Sequence, residues 1–394
     1  EHPEWIPIRW RRKIDVRAGE NRGRIYRVVP AKGVARPILD LTALDAKRWV
    51  QLLSSPNGWT REMVQQLIIW RADRDVVPDL NALVQNSSNP LARIHAIYTL
   101  SGLDSLDVAT LLAALRQTHP GVLRHAIRLS EPLLDDDAQV LSAVLAIKTD
   151  HDPQLRMQLA YSLGECQSKA AAEVLGKLIS RYGEDVWFRK AALSSLTKEN
   201  IGVVIQVAIE DGKLASLTSL GVELLEQATA FGDVEAVTDL FKAAVMLQPV
   251  GVKRSRQIVR FLDSVAKGGE DWQKLLGGSS GIAVQQVLDD AIAVVTDDSI
   301  SVTDRIAAMA LLGRRTNEAE QEMVALKALL HPQVPLPLQT AAVGRLSRMR
   351  NEAVPNALLA NWRGSSPGLR NQVLDALFAR TAWTLKLLDA MDQQ

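Results

Sequence analysis

Six histidines, one cysteine and a run of three aspartates are the side chains here that chemistry would use first. His2, His95, His119, His125, His151 and His331 would serve as zinc ligands or general bases, Cys166 as a nucleophile, and Asp135-Asp136-Asp137 as hard oxygen donors. Their spacing argues against each role. A zinc site wants several ligands at tight helical or loop spacing, and the histidines are scattered. The aspartates lack the glycine and terminal glutamate of a calcium loop. Carboxylates at a helix start are favoured by the helix dipole, so capping is the reading taken. Cys166 ends an apolar run, Leu163-Gly164-Glu165-Cys166-Gln167, with no histidine close in sequence, and reads as a small buried or half-buried apolar residue. Gly277-Gly278-Ser279-Ser280-Gly281 lacks the Gly-Lys-Ser/Thr and the preceding strand of a phosphate loop, and reads as a flexible turn. No catalytic, cofactor-binding or metal residue is therefore assigned in this chain.

The elements that carry these residues recur. A loop proline, a short gap, an arginine and an apolar helical stretch appear as Asn89-Pro90-Leu91-Ala92-Arg93, His119-Pro120-Gly121-Val122-Leu123-Arg124, Asp152-Pro153-Gln154-Leu155-Arg156 and Ser366-Pro367-Gly368-Leu369-Arg370. A period of about thirty residues built from two helices signals an α-solenoid, because one pair cannot bury its apolar face alone. His95 and His125 hold equivalent places in two copies, which explains them structurally. A second phrase, Val76-Val77-Pro78-Asp79-Leu80, returns as Ala353-Val354-Pro355-Asn356-Ala357, with its proline suited to a helix's first turn.

Composition agrees with a helical repeat protein. Nearly half the chain is apolar, aromatics are only 5%, and 46 basic residues almost cancel 45 acidic ones over 394 positions. A solenoid grows its core lengthwise, so this length demands no set of separate globular domains. One cysteine rules out an internal disulfide framework. No stretch approaches the roughly 20 apolar residues of a membrane span, and the charged first residues are no signal sequence. The first residue is Glu1, not Met, so the sequence is expected to be a piece of something longer.

Residues 1-40 read as a basic arm, with Arg9, Arg11, Arg12, Lys13, Arg17, Arg22, Arg24 and Arg27 among its cations. Gly23-Arg24-Ile25-Tyr26-Arg27-Val28-Val29-Pro30 has the content of a strand. Its pairing partners are expected upstream. Arginines along a strand are its solvated side or, on a sharper reading, a nucleic-acid arm. From residue 41 the pattern is helical to the end. Helices are expected through Trp49 to Leu53, Trp59 to Arg71 and Pro78 to Val84, then near 90-102, 106-117, 121-132, 137-148, 153-165, 169-182, 186-197 and 200-209. The register blurs over 213-300, with longer helices near 216-230, 233-247 and 253-267. It resumes near 283-296, 302-314, 318-330, 337-349, 353-362, 367-380 and 382-391. Trp49, Trp59, Trp70, Trp187 and Trp362 fall on these helices and are expected mostly in the core, with one or two left to mark a partner groove.

The Pro-x-x-Arg phrase with its Ala and Leu neighbours resembles HEAT repeats over about residues 41-394. That resemblance implies a ladder in which Arg93, Arg156 and Arg370 contact a neighbouring repeat's aspartate, with Arg124 shifted and Gln339 a substitute.

The arm carries a second resemblance. Glu1-His2-Pro3-Glu4-Trp5-Ile6-Pro7, followed by Asp15-Val16-Arg17-Ala18-Gly19 and Gly23-Arg24-Ile25-Tyr26-Arg27, is similar to the end of the β-propeller in large secreted proteins of planctomycetes and their relatives, the membrane-bound dehydrogenase-like or PVC-type haem-binding proteins. Those proteins place a propeller similar to sugar and sorbosone dehydrogenases first, HEAT repeats second and a c-type cytochrome module last. The resemblance implies a periplasmic or exported protein in which this segment, itself no enzyme, links an upstream propeller to a downstream cytochrome c. Haem c would belong to that outside module, since no Cys-x-x-Cys-His exists here. Two alternatives stand beside this: a free-standing solenoid that docks a protein partner on its concave face, and a nucleic-acid binder. A net charge of +1 disfavours the last, because counterion release needs many clustered cations.

Overall fold

The computed structural model describes residues 3-19, 22-23, 28, 31-32, 39-149, 151-214, 218-246, 252-267, 272-276, 278-314, 319-349 and 351-392. Regular structure among them is helical throughout. In the arm, a 3-10 turn at Pro3–Trp5 and the short α1 (Ile8–Arg11) replace the extended chain expected there. Most of the expected strand, Arg24 to Arg27 with Val29 and Pro30, lies outside the described residues.

The solenoid opens with α2 (Ala46–Leu52) and proceeds by pairs: α3 (Gly58–Arg71) with α4 (Val77–Asn86), α5 (Pro90–Gly102) with α6 (Val108–Leu115), and α7 (Pro120–Ser130) with α8 (Ala138–Leu145). Next come α9 (Pro153–Gly164) with α10 (Lys169–Tyr182), α11 (Val186–Leu193) with α12 (Ile201–Glu210), and α13 (Ser219–Phe231) with α14 (Val234–Phe241). After α15 (Val252–Lys267) stand α16 (Trp272–Leu275) and α17 (Gly278–Thr296). Three pairs finish: α18 (Val302–Met309) with α19 (Ala319–Ala328), α20 (Leu336–Leu346) with α21 (Val354–Leu359), and α22 (Pro367–Phe378) with α23 (Thr381–Asp392).

Each first helix of a pair packs beside the first helix of the next, giving one layer of α3, α5, α7, α9, α11, α13, α15, α18, α20 and α22. The partners α4, α6, α8, α10, α12, α14, α16, α17, α19, α21 and α23 form the second layer, begun by α2. The core lies between the layers and runs their full length, through Ile68, Leu100, Ile127, Leu163, Ile205, Leu240, Leu288, Leu312, Leu346 and Leu377. The chain exposes 22759 Å², against about 15,000 Å² for a compact monomer of its mass, as expected of a core that grows in one direction.

Local chemistry fixes where helices begin. Pro90, Pro120, Pro153 and Pro367 each occupy the first helical position, where a missing N–H is harmless, and Asn89, His119, Asp152 and Ser366 cap the same four helices through their side chains. Pro78 and Pro355 sit in the first turns of α4 and α21, both second-layer helices, so that phrase does repeat.

The stretch expected to lose register keeps both layers. Among the described residues its irregularity consists of a π-helical turn at Lys242–Met246 and the added α16, whose Trp272 is buried. The glycine-rich segment is not a flexible turn in its described part: Gly278 to Gly281 form the start of α17. A Cβ at Gly281 would come 2.6 Å from the Leu276 carbonyl oxygen, so glycine there permits a close backbone approach rather than motion.

Candidate partner-binding surface

The fourth residue of seven first-layer helices, α3, α5, α9, α11, α18, α20 and α22, carries a recurring polar device. Arg61 donates to the Ser55 carbonyl at 2.7 Å, Arg93 to Ser87 at 2.5 Å, Arg156 to Thr149 at 3.4 Å, Arg189 to Gly183 at 2.8 Å, Arg305 to Val295 at 3.0 Å and Arg370 to Trp362 at 3.0 Å. Gln339 does the same to His331 at 2.8 Å and Val334 at 3.0 Å. These carbonyls end the preceding second-layer helix or the loop after it, where helix geometry leaves oxygens without intrahelical donors. The arginines therefore serve carbonyls; Arg305 adds an ion pair with Asp298 at 2.7 Å and Arg189 one with Glu223 of the next repeat at 3.5 Å. Arg61, Arg189 and Arg305 escaped sequence reading because no proline precedes them at the usual distance. Their place three residues after the helix start was the usable signal.

Contacts between neighbouring repeats are made instead along the first layer. His95 Nδ1 lies 2.6 Å from Gln65 Oε1, and His125 Nδ1 lies 3.0 Å from the Tyr98 hydroxyl. Arg124 reaches Gln154 one repeat on, and Ser162 donates to Glu131 at 2.6 Å. Further along, Lys190 meets Glu223 at 3.2 Å, Lys267 meets Glu226 at 2.8 Å and Arg314 meets Asp263 at 2.7 Å. Several junctions of the first layer thus carry a polar pair of their own.

The described histidines hold structural hydrogen bonds or lie exposed. Burial depresses the His95 pKa, with Arg61 adding to it, and burial depresses that of His125, with Arg124 and Arg128 adding. Both are neutral near pH 7 and hydrogen-bond an amide or a phenol, not a nucleophile. His119 caps α7, accepting from the Gly121 N–H at 3.1 Å; His331 accepts from the Gln333 N–H at 3.4 Å; His151 is exposed. His2 lies outside the described residues. Among the described residues no group of three or more His, Cys, Asp or Glu is placed to hold a metal.

Cys166 is buried, and burial raises its thiol pKa. The thiol donates to Asp135 Oδ1 at 3.2 Å, and the same oxygen accepts the Gln167 N–H at 2.9 Å. Asp137 caps α8 through the N–H groups of Gln139 and Val140, as the capping reading expects, while Asp135 instead ties its repeat to the following one.

The tryptophans depart most from expectation. Trp49 is fully buried and Trp362 half-buried, but Trp59, Trp70 and Trp187 are 55%, 72% and 79% exposed. Val64 and Ile68 take the buried side of α3, so Trp59 and Trp70 are left on the opposite side. A second open feature is a groove of about 690 Å³ on the second layer, where Arg116, Gln117, Gln139, Ser142, Ala143 and Lys148 line the gap between α6 and α8. Aromatic anchors and shallow inter-helix grooves are the materials of protein docking. Among the described residues no helix is long and apolar enough to cross a membrane.

Comparison with known proteins gives one family. Residues 46–130 match the model of HEAT repeats, the span from the start of α2 to the end of α7. No curated protein matches the chain. The same two-layer stacking carries on from α7 to α23, so the chain has the fold of a HEAT-like α-solenoid, with its first repeats similar to the HEAT-repeat model.

Proposed function

We propose that this chain is a non-catalytic HEAT scaffold that spaces two redox modules of a longer, exported protein: a dehydrogenase-like propeller before it and a c-type cytochrome after it. The observation that carries this reading is the arm sequence, Asp15-Val16-Arg17-Ala18-Gly19 and Gly23-Arg24-Ile25-Tyr26-Arg27, followed in the chain by a solenoid whose described helices stack in two layers. Function here is geometry. A stack of coupled repeats holds its ends at a set separation, which a flexible linker does not. Haem c needs a pair of thiols for covalent attachment, and the one cysteine here is buried, so the residues of this chain do not fit that group and the haem is assigned to the outside module. A free-standing solenoid binding a protein through Trp59, Trp70 or Trp187 is the second reading, favoured by their exposure.

The coding sequence flanking Glu1 and Gln394 separates the two. A propeller before and Cys-x-x-Cys-His after support the spacer. A start codon just before and a stop just after would leave the free-standing binder.

A further inference from the structure

The groove between α18 and α20 departs from the other inter-repeat junctions in charge. At the tenth residue other first-layer helices place small buried side chains, as with Thr99 in α5, Ser162 in α9 and Ala376 in α22, or apolar ones, as with Leu67 in α3, Leu129 in α7 and Phe261 in α15. In α20 that place holds Arg345. Its Nε donates to the Leu312 carbonyl of the preceding repeat, which orients the guanidinium in the gap. Arg348, three residues on and exposed, lines the same groove, and Arg314 stands close enough to act on Arg345 electrostatically.

The acidic groups facing the cluster are already engaged. Asp263 pairs with Arg314 at 2.7 Å, and Glu322, fully buried, accepts the Gly313 N–H at 2.5 Å. Burial first, then Arg314 and Arg348, lowers the Arg345 pKa to about 10, with Asp263 and Glu322 opposing the shift only in part. The remaining walls are small and open. Ile306, Met309, Ala310, Ala341 and Gly344 complete a groove of about 310 Å³, and a Cβ at Gly344 would meet nothing within 4 Å.

We propose that this groove binds an acidic peptide segment of a partner protein, with Arg345 and Arg348 receiving its carboxylates and the Ala310, Ala341 and Gly344 floor admitting its backbone. Arginine suits the role because its planar fork accepts a carboxylate through two parallel hydrogen bonds. An acidic peptide fits better than nucleic acid, since the cationic face is local. At the α11–α13 and α13–α15 junctions Lys190 and Lys267 are matched by Glu223 and Glu226, which leaves less unpaired cationic charge there for a phosphate backbone. This proposal rests on the chain being a protein-binding scaffold, and not on what flanks it.

The test is a fluorescence anisotropy titration of the full chain with labelled oligoglutamate, beside a labelled single-stranded oligonucleotide. Saturable, salt-sensitive binding of the peptide is expected, weakened at least about tenfold by Arg348→Glu. Gly344→Leu, whose Cβ meets no neighbour and whose longer side chain occupies the floor, should weaken it as well. Lys190→Glu, at a distant junction, should leave it unchanged. Because both groove variants change positions that are exposed or open, retained helicity by circular dichroism keeps the comparison valid. The proposal is overturned if Arg348→Glu binds like the parent chain, if Lys190→Glu costs as much, or if the oligonucleotide outcompetes the peptide. Those outcomes would leave the spacer reading standing, since flanking coding sequence decides that separately.

Discussion

Tyr98 on α5 and His125 on α7 meet across a repeat boundary, the phenol oxygen 3.0 Å from Nδ1 and the rings edge to face at 5.4 Å and 77°. The pair combines a hydrogen bond with an aromatic contact in a half-buried setting, so it couples two repeats that share no backbone bond. Tyr98→Phe keeps the ring and removes the hydroxyl. It should cost about 0.5–1.5 kcal/mol in urea unfolding. A double-mutant cycle with His125→Ala should return a coupling of about 0.5 kcal/mol or more; strict additivity would show that the boundary is held elsewhere.

The same histidines make stability depend on pH. His95 and His125 have native pKa values below the ordinary 6.5, so on acidification the unfolded chain takes up their protons first. Their contribution is intact above 6.5 and is lost as pH falls through the window below it. The urea midpoint should therefore drop from about pH 7.5 to about pH 5.5, and the drop should shrink in His95→Gln/His125→Gln. An unchanged slope in the double variant would place the acid sensitivity on other groups.

Close packing between repeats can be tested at glycine. A Cβ at Gly164 on α9 would lie 2.5 Å from the Ser195 Cβ and 2.8 Å from its backbone, so Gly164→Ala must push two repeats apart, at about 1–3 kcal/mol. Gly344 has open space at the same test, and Gly344→Ala should instead stabilise α20 by about 0.5–1 kcal/mol. Opposite signs at two helical glycines are the expected calorimetric outcome. Equal effects would contradict the stacking described.

Buried leucines report the core directly. Leu100 and Leu163 are both fully buried, on α5 and α9. Replacing either with Ala should cost about 2–5 kcal/mol. Near-zero loss at both, measured by denaturant unfolding, would mean that their helix faces are misassigned.

These positions also mark what the sequence makes legible. Leu100, Leu163 and the capping prolines were readable because helical periodicity and first-turn chemistry are local. The exposure of Trp59, Trp70 and Trp187 was not, because a tryptophan beside apolar neighbours reads as core until the chosen face of the helix is known. The carbonyl acceptors of Arg93, Arg156 and Arg370 are not legible for a related reason: the arginines' spacing marks a helix start, while only the preceding loop's path brings the carbonyl near. Arg345 gave no sequence signal, since its groove exists only where α18 and α20 lie side by side.

The central claim is that the chain is one elongated, continuous scaffold. Small-angle X-ray scattering on the monomer tests it most directly. The account predicts a radius of gyration well above the roughly 21 Å of a compact protein of this length, with the skewed distance distribution of a rod or arc. A value near that compact figure with a symmetric distribution would contradict it.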